Sequence, residues 1–210
     1  MSLRVERFIN ELMSSNCYLV VDEEAKHCIC IDPASEESLR EIEYIQKNGL
    51  TLDYILLTHE HTDHTWGVNA LVAAFPEVKI VCSEACKQNL KKECQAYFRF
   101  YYDNSDYHYT VCDVDLTTDE LDWKLEWGSN VFLFIHVPGH SMGSICISIE
   151  DNLFTGDTIM QTRPYINKRN GSKAAFKHSI EMLQTIFEED WIVYPRHGES
   201  FMLKDWIYYS

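Results

Sequence analysis

The segment Thr58-His59-Glu60-His61-Thr62-Asp63-His64 places the strongest constraint on this 210-residue chain. Three imidazoles and a carboxylate fall within six residues, directly after the β-type run Tyr54 to Leu57. A loop at the carboxyl end of a buried strand is where α/β proteins put ligands, because the strand is rigid and the loop backbone is free to bend. His59 and His61, two apart in extended geometry, project to the same side and can share one ion. Asp63 and His64 then turn toward a second position. The bland alternative is a solvated polar turn, but nitrogen and oxygen ligands spaced this tightly favour a metal.

The surrounding sequence supplies the frame such a loop needs. Residues 17–21 and 28–31 are β-type runs joined by the charged turn Asp22 to Lys26, a predicted hairpin closing at Asp32-Pro33. Ser35 is expected to cap a helix that starts at Glu36 and Glu37, buries Leu39, Ile42 and Ile45, and stops at Gly49. A helix is expected from about His64 to Phe75, then a strand at Lys79 to Cys82 and a helix over Ser83 to Lys92. Val131 to Val137, Ile145 to Ile149 and Asn152 to Thr155 read as strands. A helix capped by Ser172, with Phe176, Ile180, Leu183 and Phe187 on one face, precedes the strand Trp191 to Tyr194. This alternation is α/β rather than all-α or all-β. No repeat or Pro/Gly/Ser linker interrupts it, so residues 1–210 are expected to form one domain. From Tyr97 to Tyr109, seven of thirteen residues are Phe or Tyr without a clean period. That stretch fits either a wall at the mouth of a site or packing in a core or a subunit interface, the latter in a possible homodimer.

Three more ligand-type residues each follow a predicted strand: His140 in Pro138-Gly139-His140-Ser141, Asp157 in Thr155-Gly156-Asp157-Thr158, and His197 in Pro195-Arg196-His197-Gly198. Glycine and proline let these loops turn sharply and approach an ion. Each alone is weak, but the strand ends of one sheet system converge. His27 and His178 look solvent-facing, His108 lies in the aromatic stretch and His136 within a strand.

Composition closes off other classes. Eighteen basic against 33 acidic residues give a net charge of −15, unsuited to a surface that neutralises nucleic-acid phosphates or settles on an anionic membrane. The longest apolar runs are far below the roughly 18 residues of a membrane span, and Met1 to Asn10 lacks a signal-peptide core. A soluble, cytoplasmic protein is expected. The eight cysteines read as buried free thiols in a reducing compartment, and Cys28-x-Cys30 and Cys82-x3-Cys86 lack a second pair at zinc-ribbon spacing.

In these motifs the chain resembles the metallo-β-lactamase superfamily, and within it the single-domain glyoxalase II-like hydrolases. The resemblance rests on His-x-His-x-Asp-His at 59–64, Pro-Gly-His-Ser-x-Gly-Ser at 138–144, Gly-Asp at 156–157 and His-Gly at 197–198, and it covers nearly the whole chain. It implies a four-layer αβ/βα sandwich with metals at one edge of two facing sheets. It also implies His59, His61 and His140 on one metal, Asp63, His64 and His197 on the other, and Asp157 bridging. Imidazole and carboxylate without thiolate suit zinc, and also iron or manganese. Two divalent ions roughly 3.5 to 4 Å apart can hold a hydroxide nucleophile at neutral pH and polarise a substrate carbonyl, so no side-chain nucleophile is required. Asp63 would both ligate and orient that hydroxide. Asp32 is placed either to support a ligand imidazole or simply to form the turn before Pro33.

Residues 158–180 hold five bases, Arg163, Lys168, Arg169, Lys173 and Lys177, and no acid. Beginning just after Asp157, this window reads either as a solvated surface or as a site for a small anionic substrate, with Arg163 and Lys168 as contacts. The chain ends thirteen residues after His197, so the helical glutathione-binding domain of two-domain glyoxalase II is not expected. Arg196 stands where the family commonly has a small residue, and the loop after Gly156-Asp157 lacks the usual Gly-Arg. The expected activity is therefore hydrolysis of a small thioester, ester or lactone, with glutathione thioesters disfavoured. The alternatives are an iron-dependent enzyme of the persulfide dioxygenase type and a non-catalytic metal-binding protein on the same fold.

Overall fold

The β-type runs are apolar on both faces, which demands cover on both sides of a sheet. A computed structural model describes residues 3–118, 123–166 and 170–207 and supplies that cover. In the first sheet β1 (Leu3–Ile9), β2 (Asn16–Asp22) and β3 (His27–Ile31) pair antiparallel. Next come β4 (Thr51–Leu56), β5 (Lys79–Ser83) and β6 (Leu116–Thr118), each parallel to its neighbour. The second sheet runs in the order β12 (Phe201–Met202), β11 (Ile192–Pro195), β10 (Asn152–Gly156), β9 (Ile145–Ile149), β8 (Asn130–His136) and β7 (Trp123–Trp127), with only β10 and β11 parallel. Among the described residues five α-helices complete the framework: α1 (Leu39–Lys47), α2 (Thr62–Thr65), α3 (Val68–Ala74), α4 (Glu84–Tyr101) and α5 (Lys173–Ile186).

Strand alternation sorts side chains into layers. Tyr18, Val20, Ile29, Ile31 and Leu56 meet Phe132, Phe134, Ile147 and Phe154 between the sheets. Leu19, Val21, Cys30 and Ile55 face outward against Ile45, Leu71 and Leu90 of α1, α3 and α4. On the far side Cys146, Leu153 and Val193 pack on Phe176, Ile180 and Leu183 of α5. The result is the four-layer αβ/βα sandwich expected. All eight cysteines are free thiols, seven of them buried, and they pack as small apolar side chains. Among the described residues no helix is long and apolar enough to cross a membrane.

Several elements differ from the sequence reading, each because tertiary contacts override local propensity. α1 begins at Leu39 and not at Glu36, with Ser38 in the left-handed region at φ 44° as its N-cap. The Ser38 hydroxyl donates to Ser35 O and Gly67 O, so the segment before the helix is held against another loop. Leu39 is exposed, and the buried positions are Glu41 and Ile45. The helix expected over 64–75 is split at Trp66-Gly67. The Gly67 N–H donates to Pro33 O, and a Cβ there would lie 2.3 Å from Ser38 Oγ. α4 runs to Tyr101, nine residues past the expected Lys92, because Tyr97 and Phe98 cover Leu12 and pack with Trp66, Tyr107 and Tyr109. β1, β6, β7 and β12 were absent from the reading; β6 and β12 have three and two residues, too few to show a period.

Hydrogen bonds join the sheets at the edge where β4, β10 and β11 end. Ile145 N donates to Thr58 O (2.9 Å), Asn16 N to Arg196 O (2.7 Å) and Arg196 N to Gly156 O (3.0 Å), while Tyr18 OH donates to Pro195 O (2.6 Å). These bonds fix the relative positions of the loops that carry the ligand-type residues.

Candidate metal centre

The loop after β4 delivers His59 and His61, the turn after β8 delivers His140, and the turn after β10 delivers Asp157. One ligand atom from each of these four residues lies within 4.8 Å of the other three. His59 Nε2 is 2.9 Å from His61 Nδ1 and 3.2 Å from His140 Nε2, and His61 Nδ1 is 2.9 Å from His140 Nε2. Asp157 Oδ2 stands 3.2 Å from His140 Nε2.

The outer contacts decide which nitrogens carry lone pairs. His140 Nδ1 donates to the Tyr165 carbonyl (2.6 Å), leaving Nε2 free in the neutral ring. Thr58 is the hub for two more rings. Its N–H and Oγ1 donate to Asp32 Oδ1 and Oδ2 (2.8 and 2.7 Å), and His64 Nδ1 donates to Asp32 Oδ2 (2.9 Å). With its proton committed to Asp32, Thr58 Oγ1 accepts from His59 Nδ1 (3.2 Å) and so turns His59 Nε2 toward the cluster. Asp32 thus supports a ligand-type imidazole as well as forming the turn before Pro33. Burial pushes its carboxyl up to about 7, against the pull of the Arg196 charge and the Thr58 hydrogen bonds. Burial and then the neighbouring imidazoles hold His59 well below the ordinary histidine value, burial and then the Arg196 charge do the same for His64, and burial followed by the His140 charge brings His61 to about 3. All three rings are therefore neutral near pH 7, the form in which imidazole binds a metal.

Asp63, His64 and His197 stand beside this set without joining it. His64 Nε2 is buried with no hydrogen-bond partner among the described residues and lies 3.8 Å from Asp157 Oδ1, which also has none. Asp157 thus presents one oxygen to His140 and the other to His64. Orphaned polar atoms of complementary type, aimed at each other inside a protein, fit a cation between them. Asp63 Oδ2 is 2.8 Å from Nη2 of Arg196, whose side chain is fully buried. His197 is half-buried and lines a cavity of about 200 Å³ together with His61, Asp63, His140 and Asp157.

The same cavity is lined by Arg163 and Tyr165 on one side and by Met13, Glu93 and Tyr97 on the other. Arg163 is therefore at the site, whereas Lys168 and Arg169 lie outside the described residues. The aromatic segment does both things considered for it, since Tyr97 packs in the cluster under α4 and also lines the cavity. Glu60, between His59 and His61, turns away and accepts from Ser141 Oγ (2.5 Å). His178 and His108 are exposed, and His136 Nε2 is bonded to Thr118 Oγ1. His27 is partly exposed, as expected, and also pairs with Asp53 (2.8 Å), beside a larger cavity of about 480 Å³ at the opposite end of the first sheet.

Arg196, Glu93 and Met13 escaped the sequence reading as site residues. Arg196 alone left a signal there, a charged residue between Pro195 and a ligand-type histidine. Glu93 gives a pH-dependent expectation. Burial, then the Glu60 and Asp63 charges, raise its carboxyl from an ordinary 4.5 to about 7. A carboxyl raised on folding binds more protons in the folded state, so it destabilises the fold increasingly from about pH 4.5 to 7 and fully above that. In the metal-free chain Glu93→Gln should add about 1–3 kcal/mol at pH 8 and nothing at pH 4. Urea unfolding at the two pH values checks this; an equal effect at both would remove the charge explanation.

The sequence matches the Metallo-beta-lactamase superfamily over residues 11–194. With the sandwich and the ligand-bearing strand ends in place, the chain belongs to that superfamily. It is 30% identical over 146 residues to a hydroxyacylglutathione hydrolase of Vibrio campbellii, covering 70% of this chain and 48% of that protein. It therefore spans about half the length of such relatives. A probable polyketide biosynthesis zinc-dependent hydrolase, BaeB of Bacillus velezensis, is 27% identical over 198 residues, covering 90% of this chain and 75% of that one. Among solved structures, the BLEG-1 B3 metallo-beta-lactamase superposes with a TM-score of 0.86 at 23% identity, covering 96% of this chain and 95% of its own. That likeness speaks to the fold.

Proposed function

We propose that this chain is a metal-dependent hydrolase of a small thioester, ester or lactone bearing an anionic group. The observation that carries the reading is the convergence of His59, His61, His140 and Asp157, with the second Asp157 oxygen turned to His64. The hydrolase names of the Vibrio and Bacillus relatives support it. On this reading His59, His61 and His140 hold one divalent ion, Asp63, His64 and His197 hold another, and Asp157 serves both. Zinc suits these donors, and iron or manganese are compatible with them. Divalent ions held there would supply a water that ionises near pH 7 and a Lewis acid for the scissile carbonyl. Asp32 and Thr58 fix the tautomers of His64 and His59, and Asp63 orients the attacking water. Tyr97, Tyr165 and Met13 exclude bulk water from the acyl group. Arg163 pairs with the anionic group, and Lys168 is assigned the same partner by its place in the acid-free window. A cytoplasmic setting suits eight free thiols.

The test is a metal count coupled to a panel of thioesters, esters and lactones with oxygen uptake followed in parallel. Metal-dependent hydrolysis without oxygen consumption supports the reading. One iron per chain with oxygen uptake on a persulfide would replace it with the oxygenase. Arg163→Ala should raise KM about tenfold for charged substrates and leave neutral analogues of the same bond unchanged. Because Arg163 is exposed, the difference should shrink as salt is added. Equal losses for charged and neutral substrates would mean that Arg163 only shapes the loop.

A further inference from the structure

Arg196 is the one residue of this site with no counterpart in the donor set. Its side chain is fully buried, and Nη2 stands 2.8 Å from Asp63 Oδ2. Nη1 reaches the Asn16 carbonyl at 3.4 Å, while Nε and Nη2 have no aligned hydrogen bond among the described residues. The guanidinium is thus held in the interior mainly by its ion pair with Asp63, and a buried charge kept this way cannot leave its partner cheaply. The main-chain bonds Asn16 N to Arg196 O and Arg196 N to Gly156 O fix its Cα beside Asp157.

The consequence is an unequal division of negative charge. Asp157 Oδ2 stands 3.2 Å from His140 Nε2 in the cluster with His59 and His61, and among the described residues no buried cation is bonded to these three rings. On the metal reading given above, His64 and His197 would have Asp63 as their own carboxylate, and its charge is already balanced by Arg196. A second dication would therefore meet two imidazoles, a carboxylate already paired with Arg196 and a shared one, within reach of a fixed positive charge in a low-dielectric interior.

We propose that Arg196 makes the two metal positions inequivalent: one ion is held tightly by His59, His61, His140 and Asp157, and the second, at Asp63, His64 and His197, is weak and exchangeable. This rests on the metal reading given above.

The experiment is titration of the metal-free chain with Zn2+ by calorimetry, with the metal content counted after desalting. The wild-type chain should show two classes of site differing by at least about tenfold, and should retain one ion per chain. Arg196→Gln removes the charge but keeps an amide. It should tighten the weak class by about tenfold or more, leave the strong class unchanged, and retain two ions. Arg196→Lys, which keeps the charge, should stay at one. His59→Ala should abolish the strong class and His64→Ala the weak one. Two equally tight ions in the wild type would overturn the proposal even if no Arg196 variant folds, as would an Arg196→Gln chain whose weak class is unchanged or weaker. Failure of His59→Ala to remove any ion would instead overturn the metal reading itself.

Discussion

His59→Ala is expected to remove the tightly held metal and to lower hydrolysis by more than about 100-fold. Losing even an outer-shell partner of a metal ligand costs about 10–100-fold, and His59 is placed as a direct donor. The expectation follows from position: His59 is buried, its Nδ1 is committed to Thr58, and its Nε2 faces His61 and His140 at 2.9 and 3.2 Å. Alanine deletes the donor without disturbing the strand that carries it. Asp157→Asn should do comparable damage, since one carboxylate faces both His140 and His64. Metal content and turnover must be read together. A variant with little metal and unchanged turnover would show that the cluster is structural and the chemistry lies elsewhere.

Metal removal should also loosen the fold. The loops after β4, β8, β10 and β11 would be cross-linked through the ions, and without them His64 Nε2 and Asp157 Oδ1 stay buried and unpartnered. A ligand that binds only the folded state contributes about 4 kcal/mol when its free concentration is about 1,000 times Kd. For a chain of this size that corresponds to a Tm shift of about 10 °C. Calorimetry of chelated and reloaded protein checks it, and coincident melting curves would count against convergent ligands.

Much of this was legible in the sequence because the donors sit at strand ends, where local pattern and global position coincide. His59 to His64 announce themselves by spacing; His140, Asp157 and His197 do so by following a β-type run and a Gly or Pro. The facing of Asp157 toward both sets depends only on where β10 ends. What stayed hidden depends on tertiary contact. Arg196 looked like a departure from a motif, and only the pairing of β11 beside the β4 loop shows that its guanidinium is buried against Asp63. Glu93 and Tyr97 reach the cavity because α4 continues past Lys92, a length set by packing of Tyr97 and Phe98 rather than by any helical period. α1 begins late because Ser38 is engaged by Ser35 and Gly67, a contact between segments about thirty residues apart.

The central claim, that the converging imidazoles and Asp157 hold metal for hydrolysis, is tested most directly by returning metal to chelated protein in measured amounts while following thioester cleavage. The account predicts no cleavage by the metal-free chain and activity that rises with bound metal until the site, its tight position at His59, His61, His140 and Asp157 and its weaker one at Asp63, His64 and His197, is filled. Cleavage that is unchanged by metal removal, or metal bound at that site with no hydrolysis of any thioester, ester or lactone tested, would contradict it.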